Sequence, residues 1–367
     1  MYDLVIVGAG PAGSTLARLA GDAGRVLLVD QRSAEAAAPH RVCGGLLAPS
    51  AQRALAAQGL GLPAHVTVGP QLFAVNALDL VSGDSGLYQR HYLNVDRAGF
   101  DRWLQGLVPA EVERAYGWRF TGLEREGATS VVSFGTPGGG RASVRARLVV
   151  GADGAASTVR RAAFPGREAP RYVALQGEFP AWGEEPHFGA IFDQRLTDHY
   201  GWTVPKGDRV LAGIAVPAGR PALESYERFI VGVREARLVS GAELDRGAAT
   251  ILRPSRPGHI LAGDDLVLLV GEAGGFVSPS SAEGISYALR TGAAAAEALR
   301  VAGVGAAGAE QYRRAVRPVA FEVLAKVAKA HALREPRMRR AIMRSGVGGI
   351  SGSGADIGGV LGELLAP

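Results

Sequence analysis

The sequence predicts an α/β protein: a Rossmann-type parallel sheet, interrupted by insertions that build an antiparallel β-sheet and followed by C-terminal helices. Three observations predict it. Residues 3–30 read as strand, helix and strand: DLVIV, a glycine-rich turn, a helical run, then RVLLVD. Two more buried strands, in ARLVVGADG and DDLVLLVGEAGG, each run into a glycine turn. Between them lie short alternating segments such as YVALQGEF, FGAIFD, HYGWTVP and RVLAGIAV. Continuous apolar runs suit strands covered on both faces, and alternation suits strands covered on one.

The first unit is the most specific. Gly8-Ala9-Gly10-Pro11-Ala12-Gly13 is G-x-G-x-x-G directly after a strand and opening a helix, and Asp30 closes the second strand. Gly8 permits the tight turn, Gly10 lets a pyrophosphate approach the backbone, and Gly13 lets helix and sheet pack closely. The free N–H groups and dipole of the helix N-terminus then hold phosphate. Asp30 stands where a carboxylate can accept hydrogen bonds from ribose hydroxyls. The unit predicts a bound dinucleotide.

Composition narrows the class. At 367 residues the chain is long for one core and points to two structural units. The net charge of +5 is mild, and no basic run is interleaved with aromatics, which argues against a nucleic-acid partner. A single cysteine, Cys43, forbids an intrachain disulfide and fits a reducing, cytoplasmic setting. No signal peptide and no membrane-spanning run is read. The seven histidines lack ligand spacing, so no metal site is expected.

Along the chain, a helix is expected over Pro49–Gln58. Another starts near Arg97, with Asp96 or Asn94 as its cap and Phe100, Trp103, Leu104 and Leu107 on one face. Further helices are expected over 221–237 and 282–300, then a helical basic tail over 309–345; the Gly/Ser-rich stretch 346–359 reads as mobile. These assignments place a discontinuous nucleotide-binding domain in 1–65, 95–165 and 255–310. They place a substrate domain in 66–94 and 166–254, and a helical tail in 311–367.

Three further motifs carry a family resemblance. Gly151-Ala152-Asp153-Gly154-Ala155-Ala156-Ser157-Thr158-Val159-Arg160 resembles the DG motif of flavoproteins with the p-hydroxybenzoate hydroxylase fold. Gly271-Glu272-Ala273-Gly274, with Pro279 and Glu283-Gly284-Ile285, resembles their GD motif, with Glu272 in place of the usual Asp. Tyr200-Gly201-Trp202-Thr203-Val204-Pro205 resembles the Y-x-W-x-F-P motif of the geranylgeranyl reductase family, with Val204 in place of Phe, and Cys43-Gly44-Gly45 matches that family's Cys-Gly-Gly segment. Over about residues 1–310 the chain resembles this family, and within it the CbrA-like bacterial branch.

The resemblance implies FAD along all three glycine turns. Its contacts would come from Gly8, Gly10, Ala12, Gly13, Asp30, Arg41, Gly44, Gly45, Arg97, Asp153, Gly154, Gly271, Glu272, Pro279, Glu283, Gly284 and Ile285. NAD(P)H or another reductant would visit transiently, since no second G-x-G-x-x-G is present. Cys43 is then a candidate proton donor beside the flavin. Tyr200 and Trp202 alternate along a strand, share one face and would line a tunnel for an apolar small molecule. His199 and Lys206 flank that strand. Glu283 has a second reading as a helix cap.

The implied activity is reduction of a carbon–carbon double bond in an isoprenoid-like substrate by hydride from reduced flavin. The alternatives are a monooxygenase or halogenase of a specialised metabolite, working through oxygen activated at flavin C4a, and a non-catalytic flavin-binding protein. For a halogenase no reactive lysine stands out; the lysines are Lys206, Lys326 and Lys329. The tail arginines Arg334, Arg337, Arg339, Arg340 and Arg344, interspersed with Leu333, Met338, Ile342 and Met343, are candidates for a peripheral membrane contact.

Overall fold

The computed structural model describes residues 1–33, 42–181 and 186–345. Its first sheet contains β1 (Tyr2–Val7), β2 (Val26–Asp30), β6 (Glu113–Tyr116), β7 (Arg119–Glu126), β8 (Thr129–Gly135), β9 (Arg141–Gly151) and β15 (Val267–Leu269). The order is β6-β2-β1-β9-β8-β7, with β15 on the C-terminal half of β9. The β6, β2, β1, β9 and β15 pairings are parallel, and the β7–β8–β9 meander is antiparallel. Alternate residues of β1 serve two cores. Leu4 and Ile6 face α1 (Pro11–Leu19) and α6 (Ile285–Ala302), whereas Val5 and Val7 face the aromatic cluster of Phe120 and Phe134. Burial on both faces explains the uninterrupted apolar runs.

The second sheet contains β3 (Leu46–Leu47), β4 (Leu72–Asp79), β5 (Ser85–Asn94), β10 (Arg171–Pro180), β11 (His187–Phe192), β12 (Gly201–Lys206), β13 (Arg209–Pro217) and β14 (Asp245–Leu252). Its order is β14-β10-β13-β12-β11-β4-β5-β3. Expected to be antiparallel throughout, it has one parallel pair, β11 with β4. These strands come from two separate insertions that meet edge to edge, so no hairpin sets their relative direction. One face is covered by α5 (Ala222–Glu235) through Tyr226, Phe229, Ile230 and Val233. The other face is turned toward the first domain.

The helices follow the sequence with local corrections. The segment read as 49–58 is α2 (Pro49–Ala56). Asp96 caps α3 (Arg97–Gly106), accepting the Ala98 and Gly99 N–H groups at 3.0 Å each. Asp153 and Ser157 open α4 (Thr158–Ala163). Helix α6 begins three residues later than expected, because Ala282 sits at φ 51° in the preceding turn. The tail breaks into α7 (Ala306–Ala315), α8 (Arg317–Arg334) and α9 (Pro336–Ser345). Pro318 and Pro336 lack an N–H and are tolerated in a helix's first turn, so each breaks a continuous pattern. The stretch 346–359 lies outside the described residues. Among the described residues, no helix is long and apolar enough to cross a membrane.

Candidate functional site

The three glycine turns converge on one cavity of about 2290 Å³. At its first end, two glycines are required by packing. A Cβ on Gly8, which has φ 109°, would meet the Ala152 carbonyl oxygen at 2.4 Å, and one on Gly13 would meet the Gly8 oxygen at 1.8 Å. Gly10 is different: its φ of −79° suits any residue, and a Cβ there would meet nothing within 4 Å. It lines the cavity together with Ala12 at the start of α1, whose N-terminus has no side-chain cap. Open space over a glycine, beside uncapped N–H groups and a positive helix end, fits a pyrophosphate.

Asp30 closes β2 as expected, but its carboxylate is occupied. It accepts from the Ala9 N–H at 2.8 Å and from the Arg32 N–H at 2.9 Å; Arg32 adds Nε at 2.8 Å and Nη2 at 2.6 Å. Burial pushes the Asp30 pKa up, yet the Arg32 guanidinium and these N–H groups hold it below the usual range. Four donors fill a carboxylate's capacity. A ribose hydroxyl therefore reaches Asp30 only if Arg32 turns away. Arg41 lies outside the described residues.

At the second turn, Gly154 has φ 77° and lines the cavity. The Asp153 carboxylate turns inward, accepting from the Thr158 and Val159 N–H groups and from the hydroxyls of Ser157 and Thr158. Arg160 is 4% exposed and donates to the carbonyls of Arg167, His259 and Ala273, stapling the second turn to the third. Gly271 has φ 57° and donates its N–H to Thr291 Oγ1 at 2.8 Å. Glu272 lines the cavity while its Oε1 accepts the Leu252 N–H at 2.8 Å. Burial pushes the Glu272 carboxyl up to about 7, against the opposing pull of that N–H and of Arg97.

Of the remaining residues there, Pro279 is buried beneath the surface and its carbonyl accepts from Arg253 Nε at 3.1 Å. Glu283 takes its capping role: its two oxygens accept the Ser286 N–H and hydroxyl at 2.8 Å each. Ala282, Glu283, Gly284 and Ile285 line the cavity. Left-handed backbone at an alanine is costly, and such strain clusters at functional sites.

Cys43, Gly44 and Gly45 meet Arg97 at the middle of the cavity. Arg97 Nη1 donates to Cys43 Sγ at 3.1 Å, and the Gly45 N–H approaches the same sulfur at 3.4 Å. Arg97 Nε also donates to Asp101 Oδ1 at 3.2 Å. Burial opposes the Arg97 charge, but Asp101 and Cys43 raise its pKa above the usual value. Gly45 has φ 58°, and a Cβ there would strike the Val95 oxygen. Lys206 proves structural: its ammonium donates to the Gly45 and Val95 carbonyls and to Asn94 Oδ1, tying β12 to β5 and the Cys-Gly-Gly turn. Burial lowers it to about 8.

The inner face of the second sheet forms the far wall. Tyr200 and Trp202 both line the cavity, as their alternation requires. Tyr200 donates its hydroxyl to the Ser281 carbonyl at 2.7 Å, which pins the sheet to the turn before α6. Trp202 Nε1 donates to Gln176 Oε1 at 2.9 Å. Around them stand Phe188 and Phe192, with Ala77, Ala174, Ala190, Ala215 and Ala249 on neighbouring strands. Small residues between aromatics leave room above the sheet. His199 lines the same wall with Nδ1 buried and unpartnered among the described residues. Burial, reinforced by Arg253, pushes His199 down to about 3, so it is neutral at pH 7.

Helices α8 and α9 close the cavity, and several of the tail residues named from the sequence turn inward or pair with distant acids. Leu333, Ile342 and Met343 turn into the cavity. Arg339 is 3% exposed and paired with Asp79; Arg340 pairs with Asp84 and Arg334 with Asp198. These acids lie more than a hundred residues earlier, where no local pattern reveals them. Arg337 and Met338 remain exposed at the cavity rim, and the Arg344 side chain lies outside the described residues. Arg90, Lys326 and Lys329, which carry no motif, also line the cavity.

No family model matches the chain. It is 36% identical over 351 residues to the protein CbrA of Escherichia coli O6:H1, covering 94% of each chain. Among solved structures, it is similar to a geranylgeranyl bacteriochlorophyll reductase-like protein from Thermoplasma acidophilum, with TM-score 0.77, 20% identity, and coverage of 91% of this chain and 87% of that one. It is also similar to PqsL, a probable FAD-dependent monooxygenase from Pseudomonas aeruginosa, with TM-score 0.71, 21% identity, and coverage of 94% and 99%. The fold is that of the p-hydroxybenzoate hydroxylase-like flavoproteins.

Proposed function

The chain belongs to the CbrA family, and from that premise we propose that it is an FAD-dependent oxidoreductase that reduces a carbon–carbon double bond in an apolar, isoprenoid-like substrate. The observation that carries the reading is the cavity itself. Single-ligand sites occupy roughly 300–1,000 Å³. At about 2290 Å³, this one has room for a dinucleotide along the glycine turns and a second molecule against the aromatic and alanine wall.

Bound FAD supplies the hydride when reduced by NAD(P)H or another donor. The protein does the rest. The N-terminus of α1 holds the pyrophosphate through its N–H groups and dipole. Turn residues 282–284 bring main chain to the cavity between the two ligand regions. Tyr200 keeps the substrate wall in register with that turn. Cys43 carries the proton. Arg97 and Gly45 both donate to Sγ, so the thiol hydrogen is directed away from them, toward the cavity that Cys43 lines. Once that proton passes to the substrate carbon, Arg97 stabilises the sulfur anion until solvent restores the proton. His199, kept neutral, adds no competing charge.

The test is anaerobic mixing of the reduced, flavin-loaded protein with polyprenyl substrates. Flavin reoxidation and a product heavier by two hydrogens support the reading. Reoxidation that needs oxygen with every substrate overturns it. The shared fold with a probable FAD-dependent monooxygenase supplies the second reading: substrate-dependent oxygen uptake, with oxygen-18 in the product, would establish it.

A further inference from the structure

The inner wall of the second sheet carries an arginine that no carboxylate pairs with among the described residues. Arg90 lies on β5 between Tyr88 and Tyr92, and all three line the cavity. The strand bulges there: Tyr92 pairs with Leu72 and Gln89 with Ala74, so Phe73 of β4 faces two residues of β5. Bulges re-aim side chains. The Arg90 guanidinium lies 5.3 Å from the Tyr92 ring centroid. Its Nε is buried without a hydrogen-bond partner, and no carboxylate pairs with it among the described residues.

Lys329 on α8 lines the same cavity. Its ammonium has no acceptor among the described residues; Lys326, one turn earlier, is by contrast held by Glu322 and the Tyr287 hydroxyl. Burial, then the like charges of Arg90 and Lys326, pushes Lys329 down to about 8. Two cations without a carboxylate partner, facing one cavity, are costly to fold. An oxyanion between them removes that cost: the arginine fork accommodates two oxygens, and the lysine adds a point charge.

We infer that Arg90 and Lys329 form an anion-binding end of the cavity, so that the substrate carries a carboxylate or phosphate head on an apolar body. This rests on the reading of the cavity as the substrate site. Anchoring the head sets how far along the chain the double bond meets the flavin, a positioning role of the kind that orients reactants.

Equilibrium dialysis of the flavin-loaded protein tests it, using four probes: geranylgeranoic acid, geranylgeranyl phosphate, geranylgeraniol and the short 3-methylbut-2-enoic acid. At least one C20 anion is expected to bind about tenfold or more tightly than the matched alcohol, as hydrogen bonds to charged groups require. Which anion binds more tightly identifies the head. Arg90→Gln and Lys329→Gln are each expected to erase most of that preference and leave alcohol binding unchanged. Lys329→Gln keeps the test open should Arg90→Gln fail to fold. Equal binding of alcohol and both anions, or an anion preference that survives both variants, overturns the anion end. If the variants act but the short acid binds as tightly as the C20 acid, the anion end stands and the apolar-substrate reading falls.

Discussion

The indole of Trp202 lies across Gly213 of the neighbouring strand. A row of facing residues runs Ala77, Ala190, Trp202, Gly213, Gln176 over five strands, with Trp202 at its centre. A Cβ on Gly213 would come within 2.5 Å of the indole ring and 2.7 Å of the Leu175 oxygen. The glycine lets the ring lie flat and reach Gln176. Gly213→Ala is expected to lift the indole into the cavity and to cost about 1–3 kcal/mol by overpacking. Flavin content should stay unchanged while affinity for a long apolar ligand falls several-fold. An unchanged ligand affinity, with the flavin bound, would remove Trp202 from the substrate wall.

Gly10 and Gly13 separate cofactor binding from folding. Gly10 has ordinary dihedrals and open space, so Gly10→Ala leaves the flavin-free protein within about 0.5 kcal/mol of the parent, as for substitutions away from any packing contact. Its methyl group occupies the expected pyrophosphate position, so FAD affinity should drop tenfold or more. Gly13→Ala drives a Cβ to 1.8 Å from the Gly8 oxygen and should prevent stable folding with or without FAD. Titration of the two apoproteins with FAD, beside their thermal melts, checks both. Parent-like FAD affinity in Gly10→Ala would remove the pyrophosphate from this turn.

Glu272 should make the flavin-free protein less stable as pH rises. Its carboxyl is raised by burial to about 7, so between roughly 4.5 and 7 the folded state holds a proton that the unfolded state has released. Stability then falls as pH climbs through that window and levels off above it. Glu272→Gln removes this slope. The variant should melt a few degrees higher than the parent at pH 8 and nearly level with it at pH 4.5. Melting curves of both proteins from pH 4.5 to 8.5 provide the measurement.

Much of the glycine-turn geometry was legible because its determinants are local. Gly8 through Asp30 lie in one βαβ unit, where each glycine has a geometric task that sequence spacing exposes. What stayed hidden depends on register and distance. Ala77, Ala174, Ala190 and Ala215 look unremarkable along the chain; they become a cavity wall only once four strands are aligned. Asp153 was read from its motif as a cofactor contact, yet its carboxylate accepts the N–H groups that open α4, whereas the cap made by Glu283 was one of its two sequence readings. The partner of Asp30 is only two residues away, and Arg32 was still missed, because a free ribose-binding carboxylate and an arginine-latched one have the same sequence signature. The bulge that aims Arg90 inward leaves no mark in β5 except the alternation of Tyr88, Arg90 and Tyr92.

The Arg339–Asp79 pair should govern how firmly α9 closes the cavity. Both side chains are nearly inaccessible, at 3% and 6%, and Arg339 bonds Asp79 Oδ2 through Nε at 2.9 Å and Nη2 at 2.5 Å. Arg339 also donates to the Leu333 carbonyl and lies over the Phe192 ring, so it joins α8, α9 and the substrate wall. Deleting one member of a buried ion pair leaves an uncompensated charge and costs about 3–5 kcal/mol. Arg339→Met is expected to lose that much. Asp79→Asn, which keeps an acceptor for the Val81 and Ser82 N–H groups, should lose nearly as much by stranding the guanidinium. The double variant should be less destabilised than the sum of the two, since neither charge remains. Each single variant should also release an apolar ligand faster, because Ile342 and Met343 on α9 line the cavity. Denaturant melts of the four proteins, with stopped-flow ligand release, provide the measurement. Strictly additive costs and unchanged release rates would show that α9 is held by its apolar contacts alone.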